Sequence, residues 1–129
     1  MSATLTTQLD EKQSSPDSHL ADNPISLFQT WFRKAIHSGI KEPSAMTVAT
    51  VDPDGCPDAR MMLLKSVDER GFVFYTNLRS AKAQALMHDP RVALCFYWAD
   101  IGKQVRVRGR ANSVSDKKRP MVILLRVRG

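Results

Sequence analysis

The sequence predicts a mainly β protein, an antiparallel barrel or curved sheet with one leading helix. Two observations predict this fold class. Short segments that alternate apolar and polar residues follow one another, separated by tight-turn sequences such as Asp52-Pro53-Asp54-Gly55. The regular exchange of strands with long helices that a doubly wound sheet requires is absent. With 129 residues, the chain is long enough for one domain with a buried core.

The first elements are an arm and a helix. Residues 1–22 are polar and rich in serine, which predicts a flexible N-terminal arm. Asn23 and Pro24 then form a typical helix start, and Gly39 a typical helix end. Between them lie apolar residues at helical spacing, which we interpret as a core or interface stripe: Leu27, Phe28, Trp31, Phe32, Ala35 and Ile36.

Five strands and a short helix follow. The period-two segments predict strands at 46–51, 58–66, 72–76, 91–98 and 103–115. A serine-capped segment ended by Asp89-Pro90 predicts a helix over 80–88. Gly109 suggests a bulge in the last strand.

Composition and charge exclude several classes of protein. Hydrophobic residues make up 43% of the chain and charged residues 25%, as in ordinary globular proteins. No apolar run approaches the roughly 20 residues that cross a bilayer, and the N-terminus lacks the pattern of a secretory signal. Two cysteines outside any CxxC pair do not make a disulfide framework. We therefore expect a cytoplasmic protein without a membrane partner.

The net charge of +6 arises from the end of the chain. Residues 117–129 carry five basic residues and no acid, which leaves 14 basic against 13 acidic residues in 1–116. The body of the protein therefore gives little reason to expect a nucleic-acid surface.

Familiar catalytic and nucleotide-binding motifs are absent, including the P-loop, GxGxxG, GxSxG and HExxH. His19, His37 and His88 lie in the arm or at helix ends, so we predict no catalytic histidine and no metal site. Arg60 and Lys65 would point to opposite faces of an ideal strand. They can reach one anion only if the strand twists, bulges or ends between them.

The start of the predicted second helix is a candidate phosphate site. Backbone N–H groups there, with Ser80 and Lys82, have the chemistry that binds phosphate. Gln104 opens the last predicted strand and could hydrogen-bond the edge of a heterocycle. Each of these residues taken alone is a weak signal.

The order of the motifs carries more information. Over about residues 23–116 the sequence resembles the pyridoxamine 5'-phosphate oxidases. The segments that carry the resemblance are P-x-x-L-F-x-x-W from Pro24, A-M-x-V-A-T-V-D from Ala45, R-x-x-x-x-K from Arg60, F-x-F-Y-T-N from Phe72, S-x-K from Ser80, D-P-R-V from Asp89, F-x-W from Phe96 and Q-V-x-V-x-G from Gln104.

The resemblance implies an FMN-binding split β-barrel that forms a homodimer with the flavin at the subunit interface. It implies oxidation of pyridoxamine or pyridoxine 5'-phosphate to pyridoxal 5'-phosphate by O2, with the flavin carrying the redox chemistry. Lys65 falls on a substrate-phosphate position. The residues that fall on or beside FMN-contacting positions are Arg60, Met61, Met62, Leu63, Leu64, Lys65, Tyr75, Thr76, Ser80, Lys82 and Gln104.

Two other functions stay open. One is another split-barrel flavoprotein, such as a flavin or F420-type reductase, and the other is a flavin-binding fragment without turnover. Ala81 stands where many family members have an arginine, so one phosphate contact of the family is missing. The later half of the family's sequence, which supplies a further substrate-phosphate cluster, is also missing.

Residues 117–129 depart from the family pattern. Synonymous codons for 120–129 can be chosen so that a shifted reading frame encodes D-G-Y-F-A-S-R-P-R, which resembles the family's usual continuation. We therefore expect a frameshift near 117–119, a barrel left incomplete at the C-terminus, no folded role for the apolar run 120–125, and lost activity. A natural divergent C-terminus is the alternative.

Overall fold

The computed structural model describes residues 4–9, 23–76, 85–86, 88–114 and 121–125. Its strands are β1 (Thr4–Leu9), β2 (Ala45–Val51), β3 (Pro57–Leu63), β4 (Ser66–Asp68), β5 (Gly71–Thr76), β6 (Arg91–Trp98), β7 (Lys103–Val114) and β8 (Met121–Leu125). Helix α1 spans Pro24–His37, and a single 3-10 turn at Ala99–Ile101 joins β6 to β7. The predicted mainly β fold is confirmed.

The strands form one antiparallel sheet in the order β3-β2-β6-β7-β8-β5-β4, and β1 pairs with β7 beside this path. Within the described ranges the sheet is open, because the end strands β3 and β4 do not pair with each other. This openness agrees with the predicted incomplete barrel.

Helix α1 begins and ends as its sequence predicts. The backbone N–H of Ser26 donates to the Asn23 side chain over 3.2 Å, and Pro24 occupies the first turn. After Ser38 the chain turns at Gly39, whose φ of 85° is in the left-handed region that favours glycine. Most of the apolar stripe is buried, but Ile36 is exposed, because it lies at the edge of the stripe.

The strand predicted over 58–66 is divided in two. β3 ends at Leu63, and β4 starts at Ser66. Between them the backbone N–H of Leu64 donates to Ser44 O over 2.9 Å, beside β2. The next N–H, that of Lys65, donates to Val73 O over 2.8 Å, in β5. The chain therefore changes partner strand at these two residues, which alternation within the segment does not reveal.

Gly109 does not form the predicted bulge against β6. The register between β6 and β7 runs unbroken from Trp98 opposite Lys103 to Arg91 opposite Arg110. On the other edge of β7, β1 pairs up to Arg108 and β8 pairs from Ala111 onward. Gly109 therefore lies where the edge partner of β7 changes.

Both chain ends contribute strands that the sequence analysis did not predict. Residues 4–9 of the predicted flexible arm pair with β7 as β1. Residues 121–125 of the apolar run, which was expected to have no folded role, pair as β8 with both β5 and β7. Both segments contain β-branched residues, and both complete strand edges that lack another partner. The frameshift origin of the tail and the boundaries at 22 and 116 stay predictions.

Most of the predicted helix over 80–88 lies outside the described residues. Ala85, Leu86 and His88 are helical, and Ala85 and Leu86 are buried. No helix among the described residues is long and apolar enough to cross a bilayer.

The core centres on Phe28 of α1. Its ring lies 4.8 Å from that of Phe72 and 5.0 Å from that of Phe96, both in edge-on geometry. The rings of Phe32 and Trp98 also contact it, at 5.7 and 5.6 Å. Phe28 therefore joins the helix to strands from both halves of the sheet.

A buried lysine closes the same core. Lys103 is 4% exposed, and its Nζ lies 4.4 Å from the centre of the Trp31 ring, so a cation–π contact supports the buried charge. Trp98 donates its indole N–H to Pro43 O over 2.9 Å. These contacts attach α1 and the loop before β2 to the β6–β7 hairpin.

We expect Phe28→Ala to lower the free energy of unfolding by about 3–5 kcal/mol, because it removes the ring that both halves of the sheet contact. Urea denaturation followed by circular dichroism measures the change. Ile36→Ala, on the exposed side of the same helix, is the matched control and should cost about 0.5 kcal/mol or less. Equal losses in the two variants would contradict the central position of Phe28.

The turn into β6 provides a pH-dependent prediction. Arg91 donates to the Asp89 carboxylate from Nη2 over 2.7 Å, from Nε and from its backbone N–H, which lowers the pKa of Asp89 to about 2. Because this pKa lies below the ordinary 3.8, the ion pair stabilises the fold above about pH 4 and loses this effect as the pH falls towards 2.

In an NMR titration, Arg91→Gln should raise the Asp89 midpoint towards 3.8. Arg70→Gln is the control, since Arg70 pairs with Asp68 and should leave the Asp89 midpoint in place. An unchanged Asp89 midpoint in Arg91→Gln would refute the assignment.

Candidate functional site

Arg60 lies on the core-facing side of the sheet. In the β2–β3 register it stands opposite Val48, which is fully buried, and paired residues of antiparallel strands share a face. Asp58, two residues earlier, lies on the same face, and its Oδ2 accepts from Arg60 Nη2 over 2.6 Å. The Arg60 side chain as a whole is 26% exposed.

One nitrogen of this guanidinium has no hydrogen-bond partner among the residues that the structure describes. Arg60 Nη1 is buried and makes no hydrogen bond, although a buried charged donor strongly favours an acceptor. Guanidinium N–H groups bind phosphate oxygens well. The unsatisfied nitrogen is therefore consistent with the predicted role of Arg60 as a phosphate ligand of FMN.

The apolar run of β3 presents two side chains to solvent. Met61 is 65% exposed and Leu63 55%, whereas Met62 and Leu64 turn towards the core. The Thr47 hydroxyl donates to Met61 Sδ over 3.3 Å. Exposed apolar side chains beside a strand backbone suit contact with a flat ring system, so this run also fits the predicted flavin contacts.

Lys65 lies next to Tyr75. Its Nζ is 5.7 Å from the centre of the Tyr75 ring, and both side chains are exposed. For both cations to reach one anion, the strand must twist, bulge or end between them. β3 does end between Arg60 and Lys65. Thr76, the neighbour of Tyr75, is buried on the opposite face of β5.

Gln104 is not brought to Arg60. It lies opposite Tyr97 in the β6–β7 register, and Tyr97 is 70% exposed on the outer face of the sheet. Leu94, Val107 and the partner of Arg60, Val48, define the opposite, core-facing side. Within one chain, Arg60 and Gln104 therefore leave opposite faces of the same sheet.

Ser80 and Lys82 lie outside the described residues, so their predicted phosphate contacts are untested. Two residues on the same sheet face as Arg60 were not singled out by the sequence analysis. Asp58, which holds Arg60, could have been found from its i, i+2 spacing on one strand face. Thr50, whose buried Oγ1 makes no hydrogen bond, has no distinguishing sequence signal.

Other reactive groups do not form a second centre in the parts of the chain that the structure describes. No three metal-ligating side chains come together there. Cys56 and Cys95 are free thiols, and burial raises the pKa of Cys95 despite the opposing effect of the nearby Arg106. A raised thiol pKa disfavours nucleophilic reactivity.

Comparison with known proteins identifies the family. Residues 32–123 match the sequence profile described as Pyridoxamine 5'-phosphate oxidase. A relative in Azorhizobium caulinodans named pyridoxine/pyridoxamine 5'-phosphate oxidase is 53% identical over 103 residues, which are 80% of this chain and 49% of the relative. The same name is given to a relative in Cyanothece that is 49% identical over 81% of this chain and 49% of the relative. The chain spans about half the length of these curated relatives.

Solved structures share the fold. PhzG from Burkholderia lata, crystallised with tetrahydrophenazine-1-carboxylic acid, matches 86% of this chain and 52% of its own, with a TM-score of 0.71 and 27% identity. An FMN-binding protein from Nostoc punctiforme, described as related to pyridoxamine 5'-phosphate oxidase, matches 70% of this chain and 50% of its own, with a TM-score of 0.60 and 26% identity.

An F420 reductase shares the fold alone, with a TM-score of 0.59 and 21% identity over 70% of this chain and 90% of its own. The architecture is that of the FMN-binding split barrels, with the sheet left open. The family profile matches residues 32–123, which are more than half of this chain, and two relatives with that name are 53% and 49% identical to it. The chain therefore belongs to the pyridoxamine 5'-phosphate oxidase family.

Proposed function

We propose that the chain is the flavin-binding part of an oxidase that converts pyridoxamine or pyridoxine 5'-phosphate to pyridoxal 5'-phosphate with O2. Family membership supports the reaction, and the observation that carries the cofactor assignment is the buried, unpaired Nη1 of Arg60. The substrates, the activity of the whole protein and its cytoplasmic location are parts of this proposal.

Different residues of the chain would bind the phosphate and the ring system of FMN. Arg60 Nη1 would donate to the phosphate while Asp58 fixes the other arm of the guanidinium. Met61 and Leu63 would lie against the ring system, and Tyr75 would border it. Thr76, which is buried on the opposite face of β5, enters the proposal through the resemblance alone. Ser80 and Lys82 enter the proposal through the resemblance alone. When bound, FMN supplies the acceptor for the hydride that leaves C4' of the substrate.

Lys65 would orient the substrate. It stands where the chain passes from β3 to β4, and the Tyr75 ring gives its ammonium group a preferred position. A cation held there would attract the substrate phosphate and direct the reacting carbon towards the flavin. This role concerns binding and orientation, and no residue of the chain is assigned a proton-transfer role.

A homodimer would complete the site. Arg60 and Gln104 leave opposite faces of the sheet, and Gln104 of a second copy would supply the flavin contact that the resemblance assigns to this residue. The outer face carries the large exposed side chains Met61, Leu63 and Tyr97, whose burial would favour association.

The rival functions remain distinguishable. A flavin or F420-type reductase would use the same fold, and an inactive flavin-binding fragment would share Arg60 and the β3 run. Lys65 beside Tyr75 favours the oxidase over the reductase.

The activity assay separates the three functions. The whole parent protein, loaded with FMN and given pyridoxine 5'-phosphate, should form pyridoxal 5'-phosphate, measured by its absorbance, and Lys65→Gln should lower kcat/KM about 10- to 100-fold while FMN stays bound. Lys34→Gln, on helix α1, is the charge-matched control. Flavin binding without product would favour the fragment, reduction of free flavin or F420 the reductase, and no flavin binding would refute the proposal.

Mixed dimers test the shared site. Arg60→Gln and Gln104→Leu should each weaken FMN binding about tenfold or more. If the flavin bridges two copies, co-expression of the two variant chains yields mixed dimers in which one site has both native residues and regains strong FMN binding. Fluorescence titration measures the recovered fraction, and no recovery in isolated mixed dimers would contradict the arrangement.

A further inference from the structure

Two buried polar atoms near the β2–β3 hairpin lack partners. One is Arg60 Nη1, and the other is the hydroxyl Oγ1 of Thr50, a residue that is only 2% exposed. Buried hydroxyl groups in folded proteins nearly always make a hydrogen bond, so an unsatisfied one calls for an explanation. Because the two unsatisfied atoms lie on neighbouring strands, we look for one explanation for both.

The register places these atoms close together on one face. Thr50 stands directly opposite Asp58, and Arg60 follows Asp58 by two residues on the same side of β3. The contact from Arg60 Nη2 to Asp58 Oδ2 draws the guanidinium along the strand towards the row that Thr50 and Asp58 form. The Thr50 hydroxyl is therefore directly opposite Asp58, the residue that binds the Arg60 guanidinium.

The chemistry of the two atoms indicates an anionic oxygen. A guanidinium nitrogen only donates hydrogen bonds, and a threonine hydroxyl can donate one. Two donors are satisfied together by an acceptor, and a phosphate oxygen accepts from both kinds of group. The Asp58 carboxylate already faces Nη2, which leaves Nη1 as the arm available to such an oxygen.

A groove reaches the Thr50 end of this row. Thr50 lines an open groove of about 680 Å³ between the β2–β3 hairpin and the β6–β7 strands. Arg91, Arg108 and Arg110 also line this groove, so its charge favours the approach of an anion. Arg91 is itself paired with Asp89 over 2.7 Å.

We propose that the Thr50 hydroxyl is a ligand of the FMN phosphate and acts with Arg60 Nη1. The inference rests on the proposed flavin-binding function and adds to it a residue that the family resemblance did not indicate. Thr50 would then recognise the phosphate. Removal of its hydroxyl should weaken the binding of FMN but not that of riboflavin, which has the same ring system without the phosphate.

The test compares FMN with riboflavin. Thr50→Val has nearly the same shape and removes only the hydroxyl, so it should weaken FMN binding roughly tenfold and leave riboflavin binding within about twofold, as measured by fluorescence titration. Thr50→Ser keeps a hydroxyl and should restore most of the FMN affinity. Thr47→Val, on the opposite face of β2, is the matched control and should leave the ratio of the two affinities unchanged.

A structural role for Thr50 would give a different result. If the hydroxyl only binds a buried water, Thr50→Val should lower the thermal stability of the flavin-free chain and affect FMN and riboflavin equally, which overturns the inference. A wild-type chain that binds FMN, with an unchanged affinity ratio in Thr50→Val, overturns the inference alone. A wild-type chain that binds neither flavin overturns the proposed function as well.

Discussion

The exchange of hydrogen-bonding partners at Leu64 and Lys65 determines the arrangement of the candidate site. Up to Leu63 the chain is paired with β2, and from Lys65 it is paired with β5, which lies towards the other end of the sheet. The exchange takes only two residues. Arg60 and Lys65 are therefore only five positions apart in sequence but belong to different parts of the sheet. Arg60 is thereby anchored beside Asp58, and Lys65 beside Tyr75.

The alternation of side chains along each strand then separates the functional residues by face. Core-facing positions of β2 and β3 carry the guanidinium and the buried hydroxyl, and the outer face carries exposed apolar groups and Gln104. A pleated sheet places residues of opposite parity on opposite faces unless a bulge intervenes, and the β6–β7 register runs without a bulge. The division of the site between faces is therefore a property of the register itself.

Sequence reasoning was most successful where the signals are local. The cap at Asn23, the strand 91–98 and the turn before Gly55 each depend on a few neighbouring residues, and the structure agrees with all three. The motif order also indicated the family correctly. The strands β1 and β8 were missed because their stability comes from edges supplied by distant parts of the chain.

The site was only partly predictable for the same reason. Arg60 and Lys65 could be named from motif order, but the ion pair to Asp58 and the isolated hydroxyl of Thr50 depend on the cross-strand register. Whether a buried atom has a partner is a three-dimensional property, and no pattern within one strand encodes it.

The outer edge of β7 is shared by the first and the last strands of the described chain, which meet on either side of Gly109. Release of β8 would free edges on β5 and β7 together, while β1 would still cover the first half of β7. The gap would lie between β5 and β7, and their free backbone N–H and C=O groups could pair with any extended segment of similar length. Such a gap is a natural point for strand exchange between molecules, so the same device that completes this sheet also provides a route to interlinked assemblies.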